Sequence, residues 1–417
     1  MNHSVDVAII GAGPAGVAAG IGAREAGAEK VLVLERDWDL GGILQQCIHP
    51  GFGLHTFNEE LTGPEYMDRW IRRAREAGVE FRKNSMVFSM EESGALWVMN
   101  PETGISRIES KSVVLAMGCR ERPLGAIKIP GTRPSGIYTA GTAQRFVNME
   151  GYMPGNRAVI LGSGDIGLIM ARRLVWEGAR VEGVYEVMPW PGGLRRNISQ
   201  CLHDFGIPFH LGQTVTAVHG NDRLEGVTVA KVDEKMSPLR DTERFVACDT
   251  LLLAVGLIPE NELSRMAGVE LCSATGGPWV NELYQTSKDH IFAAGNVVLV
   301  YDLADWVSQE GYHAGKNAAL HAAGKLPEKR RSLKIRGSSG IRLFSPQVLS
   351  GAEDCTVYFR VKEPIEKRCR IAASCGLYEK NLRYVRPGEM NEIPLKAEDI
   401  RALGEDVTEI EIRVEEV

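Results

Sequence analysis

The chain is 417 residues long, with 44% hydrophobic and 24% charged residues and a formal net charge of −6. That length gives room for two or three domains, each with its own core, and the ordinary balance excludes a disordered or fibrous chain. The acidic balance counts against nucleic acid, whose phosphates reward a basic surface, and leaves small molecules and other proteins as partners.

Residues 5–10 (VDVAII) read as a strand. No basic segment precedes this apolar start, so it reads as core rather than as a secretion signal. Gly11-Ala12-Gly13-Pro14-Ala15-Gly16 follows, then an Ala-rich helix to Gly27 and a second strand, Val31–Leu34, that ends at Glu35 and Arg36. Strand, tight Gly turn and helix make a dinucleotide-binding βαβ unit. In such a unit Gly11 permits the turn, Gly13 lets backbone approach a pyrophosphate, Gly16 lets helix pack on strand, and Glu35 accepts ribose hydroxyls. Gly41-Gly42 and the stretch ILQQCIHPGFG come next, with Cys47 two positions before His49. The eight cysteines (47, 119, 201, 248, 272, 355, 369 and 375) include no pair at the two-residue gap of a redox or zinc motif. No metal site is expected, and reduced thiols suit a cytoplasmic protein.

The same plan returns at residues 157–161 (RAVIL), followed by Gly162-Ser163-Gly164-Asp165-Ile166-Gly167, a helix to about Gly178, and a strand Val181–Tyr185 ending at Glu186. Glu35 and Glu186 each fall 24 positions after the first glycine of their motif, and each is followed six and seven positions on by a Gly-Gly pair. Each unit closes on an apolar run, VVLAMG to Gly118 through Ala116 in the first and LLLAVG to Gly256 in the second. One Gly-rich turn is weak evidence; agreement at these matched points implies two dinucleotide sites. Glu186 would repel a 2′-phosphate, so NAD(H) is favoured over NADP(H). The basic residues Arg195 and Arg196 are expected a helical turn or more into the next segment, which keeps NADP(H) open.

Thr286-Ser287 and IFAAGN, ending at Gly295-Asn296, then lead to a helix from about Leu303 to Ala323. From about Arg330 short alternating strands take over (SLKIR, IRLFSPQVL, CTVYFRV, CRIAAS, LRYV, EIEIRVEEV), which reads as a small all-β domain. Apart from the motif-bearing start, no stretch approaches the ~18 apolar residues of a membrane span.

Residues 5 to about 325 resemble the flavoprotein superfamily with two dinucleotide-binding domains, the pyridine-nucleotide-disulfide-oxidoreductase-like proteins. The resemblance implies an α/β fold of two Rossmann-like domains, with the NAD unit inserted in the FAD domain and a C-terminal β domain appended. The expected boundaries are 1–152 with 282–329 for FAD, 153–281 for NAD(P) and 330–417 for the tail. It implies FAD at Gly11, Gly13, Pro14, Ala15, Gly16, Glu35, Arg36, Gly42, Val87, Ala116, Gly118, Gly295 and Asn296, and NAD at Gly162, Gly164, Asp165, Ile166, Glu186 and Gly256. Asn296 stands where the family usually has Asp, and its amide would still bond a ribityl hydroxyl. The α-helix from Leu303 would turn its N-terminus toward the reduced flavin's negative charge.

Family members that reduce disulfides carry paired cysteines, which Cys47 lacks. It is read as a structural neighbour of the flavin pocket, with His49 the acid–base candidate. A narrower likeness, through GGILQQCIHPGFG, IFAAGN and the tail, is to flavoproteins accompanying bacterial glycerol-3-phosphate or amino-acid and opine dehydrogenases. The leading expectation is therefore an FAD-dependent enzyme moving a hydride between NAD(H) and flavin, passing electrons to or from a partner dehydrogenase subunit or a small molecule. Two alternatives stand beside it. One is a flavin-dependent amine or hydroxy-acid dehydrogenase with a regulatory nucleotide; the other is a flavin-bearing subunit that docks through its tail. Oligomerisation is compatible with all three.

Overall fold

A computed structural model describes residues 3–417. The apolar run of the first motif forms β1 (His3–Ile10), the Ala-rich stretch α1 (Pro14–Glu25), and VLVL the strand β2 (Val31–Leu34). Gly13 is the N-cap of α1 with Pro14 in the first turn, where a missing N–H costs nothing. The helix ends before Gly27, whose φ of +95° suits the left-handed turn that closes it. In the parallel part of the sheet, Ile291–Ala293 pairs with Gly104–Leu115, which pairs with β1, then β2, then Glu80–Arg82. The strands Met86–Met90 and Leu96–Asn100 fold back antiparallel onto Gly104–Leu115.

The second motif forms β3 (Arg157–Leu161), α2 (Asp165–Trp176) and β4 (Arg180–Glu186). Its parallel sheet runs Ile137–Thr139, Thr250–Leu253, β3, β4, Phe209–Leu211, the same order of roles as in the first. Here too a three-stranded antiparallel meander (Gln213–His219, Gly226–Lys231, Arg244–Ala247) precedes the strand that returns beside the first. The repeat therefore extends from the motif to the topology of each domain.

The chain divides into two compact units, residues 1–119 with 259–417 and residues 120–258. The expected boundaries at 152/153 and 281/282 fall inside these units, for identifiable reasons. Residues 120–152 supply Ile137–Thr139, an edge strand hydrogen-bonded to Thr250–Leu253. Residues 259–281 pack with the first unit, where Leu263, Ala267, Val269 and Val280 join the core around β1.

The chain then returns to the first unit through Ile291–Ala293 and the long helix α3 (Ala304–Ala322). Three glycines bring α3 and α1 backbone to backbone. A Cβ on Gly311 would lie 2.1 Å from the Ala15 carbonyl oxygen, one on Gly315 1.9 Å from that of Ala19, and one on Gly22 2.1 Å from that of Tyr312. The tail, within the same unit, pairs five strands in one sheet (Val348–Leu349, Leu333–Gly337, Glu409–Glu416, Cys369–Ala373, Tyr378–Leu382) and three in another (Ile341–Ser345, Cys355–Val361, Asn391–Leu395). Two details differ from the sequence expectation. The strand expected at LRYV lies earlier, at Tyr378–Leu382, and Ala397–Ala402 adds one short helix.

Candidate functional site

The two glycine-rich turns are built alike, and the glutamates explain how. Glu35 is buried, and its carboxylate accepts the Ala12 N–H at 2.8 Å through one oxygen and the Asp37 N–H at 2.8 Å through the other. Glu186, equally buried, accepts the Ser163 N–H at 2.9 Å through one oxygen and the Met188 N–H at 3.0 Å through the other. In each case the donors are the residue after the first glycine and the residue two beyond the glutamate. A carboxylate offers about four acceptor positions, so about two remain on Glu35 and, with the Ser163 hydroxyl also bound, about one on Glu186 for ligand hydroxyls. In the second unit the Ser163 hydroxyl donates to Glu186 at 2.6 Å and accepts the Gly192 N–H at 2.7 Å, while Asp165 accepts the Leu194 N–H at 2.9 Å. The Gly192-Gly193 pair is thereby tied to the motif.

The glycines of each motif divide by what a side chain would meet. Gly11 and Gly162 have φ of +100° and +95°, and a Cβ on them would lie 2.5 and 2.2 Å from the carbonyl oxygens of Ala116 and Ala254. At Gly16 a Cβ would come within 1.8 Å of the Gly11 carbonyl oxygen. Gly13 is different: a Cβ there would meet nothing within 4 Å. Its missing side chain is not required by protein packing, and it stands at the N-terminus of α1, beside Pro14 and Ala15, where unpaired N–H groups favour an anion. This is a cradle shaped for a pyrophosphate, so the residues present fit a bound dinucleotide.

Around this turn the structure gathers the other expected residues of the first unit. Ala116 N–H bonds Ile10 O at 3.0 Å, Gly42 brings its backbone against Gly13, and Ser85 N–H bonds Glu35 O at 2.7 Å, with Val87 following in the strand Met86–Met90. Arg36 is exposed and reaches Glu260 at 3.6 Å, while Gly118 carries φ +70° and receives the Glu260 N–H at 3.0 Å. Gly295, φ +74°, packs between Ala15 and Val307. Asn296 departs from the expectation in detail: its Oδ1 accepts the Tyr301 N–H at 3.1 Å, and its Nδ2 faces Cys119 Sγ at 3.7 Å. The side chain is thus used first to hold the turn into α3. In the second unit Asp165 and Ile166 open α2, Gly256 has φ +102° with open space around it, and Arg195 and Arg196 start the helix Arg195–Cys201 instead of lying a turn inside it.

The stretch after Gly41-Gly42 is a short 3₁₀ helix, Gly42–Gln46, then Pro50–Phe52 paired with Leu61–Thr62. A helix missed by sequence reasoning, Gly63–Glu76, follows with a capping box of Thr62 and Glu65, a signature present in the TGPE run. Both segments are fastened to α3: Thr56 N–H donates to Asp305 at 3.1 Å and Tyr66 O–H to Ser308 at 2.8 Å. Burial pushes the Cys47 thiol up to about 12, which keeps it protonated at neutral pH. None of the eight cysteines forms a disulfide. The neutral thiol makes a poor nucleophile. His49 Nδ1 lies 3.0 Å from Pro50 O, and its ring stands 5.1 Å from that of Phe52.

Sequence reasoning also passed over the residues behind Gly295. Glu310, buried in α3, accepts the Gly295 N–H at 3.2 Å and the Tyr301 hydroxyl proton. Its burial pushes the carboxyl up to about 7 against the opposing effect of these two hydrogen bonds. The signal available was the one Glu of the helix, set directly before Gly311. Among the described residues no group of side chains could hold a metal ion, and no helix is long and apolar enough to cross a membrane.

The chain is similar in sequence and in fold to known proteins. The chain is 27% identical over 318 residues to the hydrogen cyanide synthase subunit HcnB of Pseudomonas protegens, covering 70% of this chain and 66% of that one. It is 28% identical over 347 residues to the CoA-dependent NAD(P)H sulfur oxidoreductase of Pyrococcus abyssi, covering 77% and 71%, and 27% identical over 307 residues to an opine oxidase subunit of Agrobacterium tumefaciens, covering 68% and 58%. The chain thus spans about two thirds or less of the HcnB and opine oxidase relatives. Its fold matches thioredoxin reductase of T. acidophilum with a TM-score of 0.61 at 22% identity, over 77% of this chain and 98% of that one. An NAD-dependent persulfide reductase of A. fulgidus matches with 0.57 at 19% identity, over 90% and 68%. Residues 5–322 match the family described as pyridine nucleotide-disulphide oxidoreductase, and the chain, with its paired glutamate-anchored turns, belongs to that family.

Proposed function

We propose that the first unit holds FAD and the second holds NAD(H), and that the enzyme relays electrons between NAD(H) and a partner dehydrogenase subunit or small-molecule substrate. The observation that carries this is the duplicated turn, in which Glu35 and Glu186 each grip the backbone in the same two places and each keep capacity to accept at least one ribose hydroxyl. When bound, the flavin would exchange a hydride with the nicotinamide; the protein's share is alignment and shielding. Gly11, Pro14, Ala15, Gly16, Arg36, Gly42, Val87, Ala116, Gly118, Gly295 and Asn296 line the FAD site around Gly13 and Glu35. Gly162, Gly164, Asp165, Ile166 and Gly256 do so with Glu186 for the nicotinamide nucleotide. The start of α3 faces the flavin's pyrimidine side, where unpaired N–H groups stabilise negative charge. That two of the relatives are named as subunits supports an electron partner.

Anaerobic titration tests the reading directly. NADH is expected to bleach the flavin absorbance, with NADPH at least ~10-fold less effective, because a 2′-phosphate would meet the Glu186 carboxylate. Replacing Glu186 by Gln should narrow that gap. Bleaching by a reduced substrate alone, with NADH inert, would overturn the assignment.

His49 is placed by this reading on the substrate side, as a proton donor or acceptor, with Cys47 a neutral lining thiol. His49→Ala should leave reduction of the flavin by NADH unchanged and slow the second half-reaction, with the electron partner or substrate, by about 10²-fold. An equal rate in that half-reaction removes His49 from the mechanism.

A further inference from the structure

The tail reaches the segment that leads into α3. Its strand Cys355–Val361 presents Tyr358, whose ring stands edge-on to Tyr301 at 5.3 Å and tilted against Trp306 at 5.2 Å. Two residues on, Arg360 pairs with Asp302 and donates to Pro387 O at 3.2 Å. The second oxygen of Asp302 accepts the Met390 N–H at 2.7 Å, so two separate parts of the tail grip one carboxylate. Arg360 and Asp302 side chains are only 14% and 10% exposed. A pair so far from water differs from a surface ion pair: losing one partner leaves an uncompensated charge in a poorly hydrated place.

The position of that charge matters. Asp302 lies two residues before the first residue of α3, and Asp305 lies in the first turn. Bare carboxylates there would cancel the partial positive charge of the helix N-terminus. Asp305 accepts the Thr56 N–H; among the described residues the hydrogen bonds to the Asp302 carboxylate come from the tail.

We propose that the C-terminal β domain acts on the flavin through Arg360, which neutralises Asp302 and, with Tyr358, fixes the 301–303 segment so that α3 presents a positive end to the flavin. Arg360 is on this account a positioning residue, and the tail is a part of the redox site as well as an appendage to it. The assignment rests on the placement of α3 proposed above.

The test uses the FAD-loaded full chain and reads the flavin midpoint potential by spectroelectrochemistry. Arg360→Met should lower the ratio of reduced to oxidised flavin at a fixed potential about tenfold, which is about 30 mV for a two-electron couple. Asp302→Asn should move the potential the opposite way, and the double variant should fall between. Arg370→Met, which removes an exposed cation of the same domain, should leave the potential where it is. Ala304→Glu, which adds a charge at the first helical residue, checks the placement itself. If Ala304→Glu shifts the potential and Arg360→Met does not, the role of Arg360 is overturned while the placement stands; if neither does, the placement falls and takes the proposal with it. Should Arg360→Met fail to retain FAD, Asp302→Asn decides alone, and an unchanged or lowered potential overturns the proposal. A shift in Arg370→Met equal to that in Arg360→Met would do the same.

Discussion

Gly16→Ala is expected to destabilise the first unit by about 3 kcal/mol or more and to strip the protein of FAD, whereas Gly13→Ala is expected to remove FAD while leaving the fold intact. The two glycines are three residues apart, and their surroundings set the difference. A methyl at Gly16 would lie 1.8 Å from the Gly11 carbonyl oxygen and 2.9 Å from its carbon. That neighbour is backbone in the tight turn itself, so relief requires α1 to move off β1, and overpacking of this kind costs at the upper end of the usual range. Set against a total stability of ~5–15 kcal/mol for a domain, this is a large fraction. Gly13 has φ −75°, which alanine adopts readily, and open space where the Cβ would stand. Only something outside the protein can object to that methyl. Thermal unfolding of FAD-free protein together with FAD titration separates the two cases. Gly13→Ala should unfold within about a degree of wild type yet bind FAD at least ~10-fold more weakly, a loss of about 1.4 kcal/mol. Wild-type FAD affinity in Gly13→Ala would show that no ligand approaches that backbone, and wild-type stability in Gly16→Ala would refute the packing.

Both motifs were legible because their chemistry is local. A glycine with positive φ, a strand of four to eight apolar residues and a glutamate at a set distance leave marks within about thirty positions, and β1, α1, β2, β3, α2 and β4 appear where those marks place them. The interior of α3 was visible for the same reason. Its function in packing was not, since the closeness of Gly311 and Gly315 to α1 depends on a partner nearly three hundred residues away. The unit boundaries were misplaced because a single short strand, Ile137–Thr139, belongs by hydrogen bonding to a sheet whose motif begins later. Nothing in the pattern of IYT says which edge it will join.

The residues behind the site were illegible on similar grounds. Arg360 and Asp302 are 58 positions apart and take their meaning from a register between tail and helix that no periodicity encodes. Ser163, by contrast, sits inside the motif, and its hydroxyl between Glu186 and Gly192 N–H could have been inferred from the repeat, where the first unit has Ala12. Cys47 drew attention by its type and position; burial, which sequence does not report, is what makes its thiol an unreactive one.

Glu310→Gln should change how stability depends on pH, and the sign follows from the protonation balance. The carboxyl is pushed from 4.5 to about 7 by burial among apolar and phenolic groups. Tyr301 and Gly295 N–H hydrogen-bond it, and Tyr284 and Tyr358 face it as well. The folded state therefore holds this proton more tightly than the unfolded chain, so Glu310 contributes stability that is fully present below about pH 4.5 and is lost as pH rises through about 7. The full span corresponds to about 3 kcal/mol. Glutamine cannot titrate. It can accept the Gly295 N–H through its oxygen and donate its amide to the Tyr301 hydroxyl oxygen, so one of the two bonds is kept and the other reversed. Measured as the difference in thermal midpoint between variant and wild type, Glu310→Gln should gain several degrees on wild type between pH 5 and pH 8. Taking the difference cancels the other titrating groups, which the two proteins share. A constant difference across that range would mean that Glu310 is already ionised at pH 5, held so by Tyr301 and the Gly295 turn more strongly than burial opposes it. Because that turn carries the residues assigned to the flavin's ribityl chain, FAD retention recorded over the same pH series shows whether the proton on Glu310 is felt at the cofactor: loosening above pH 7 in wild type but not in the glutamine variant is the expected result.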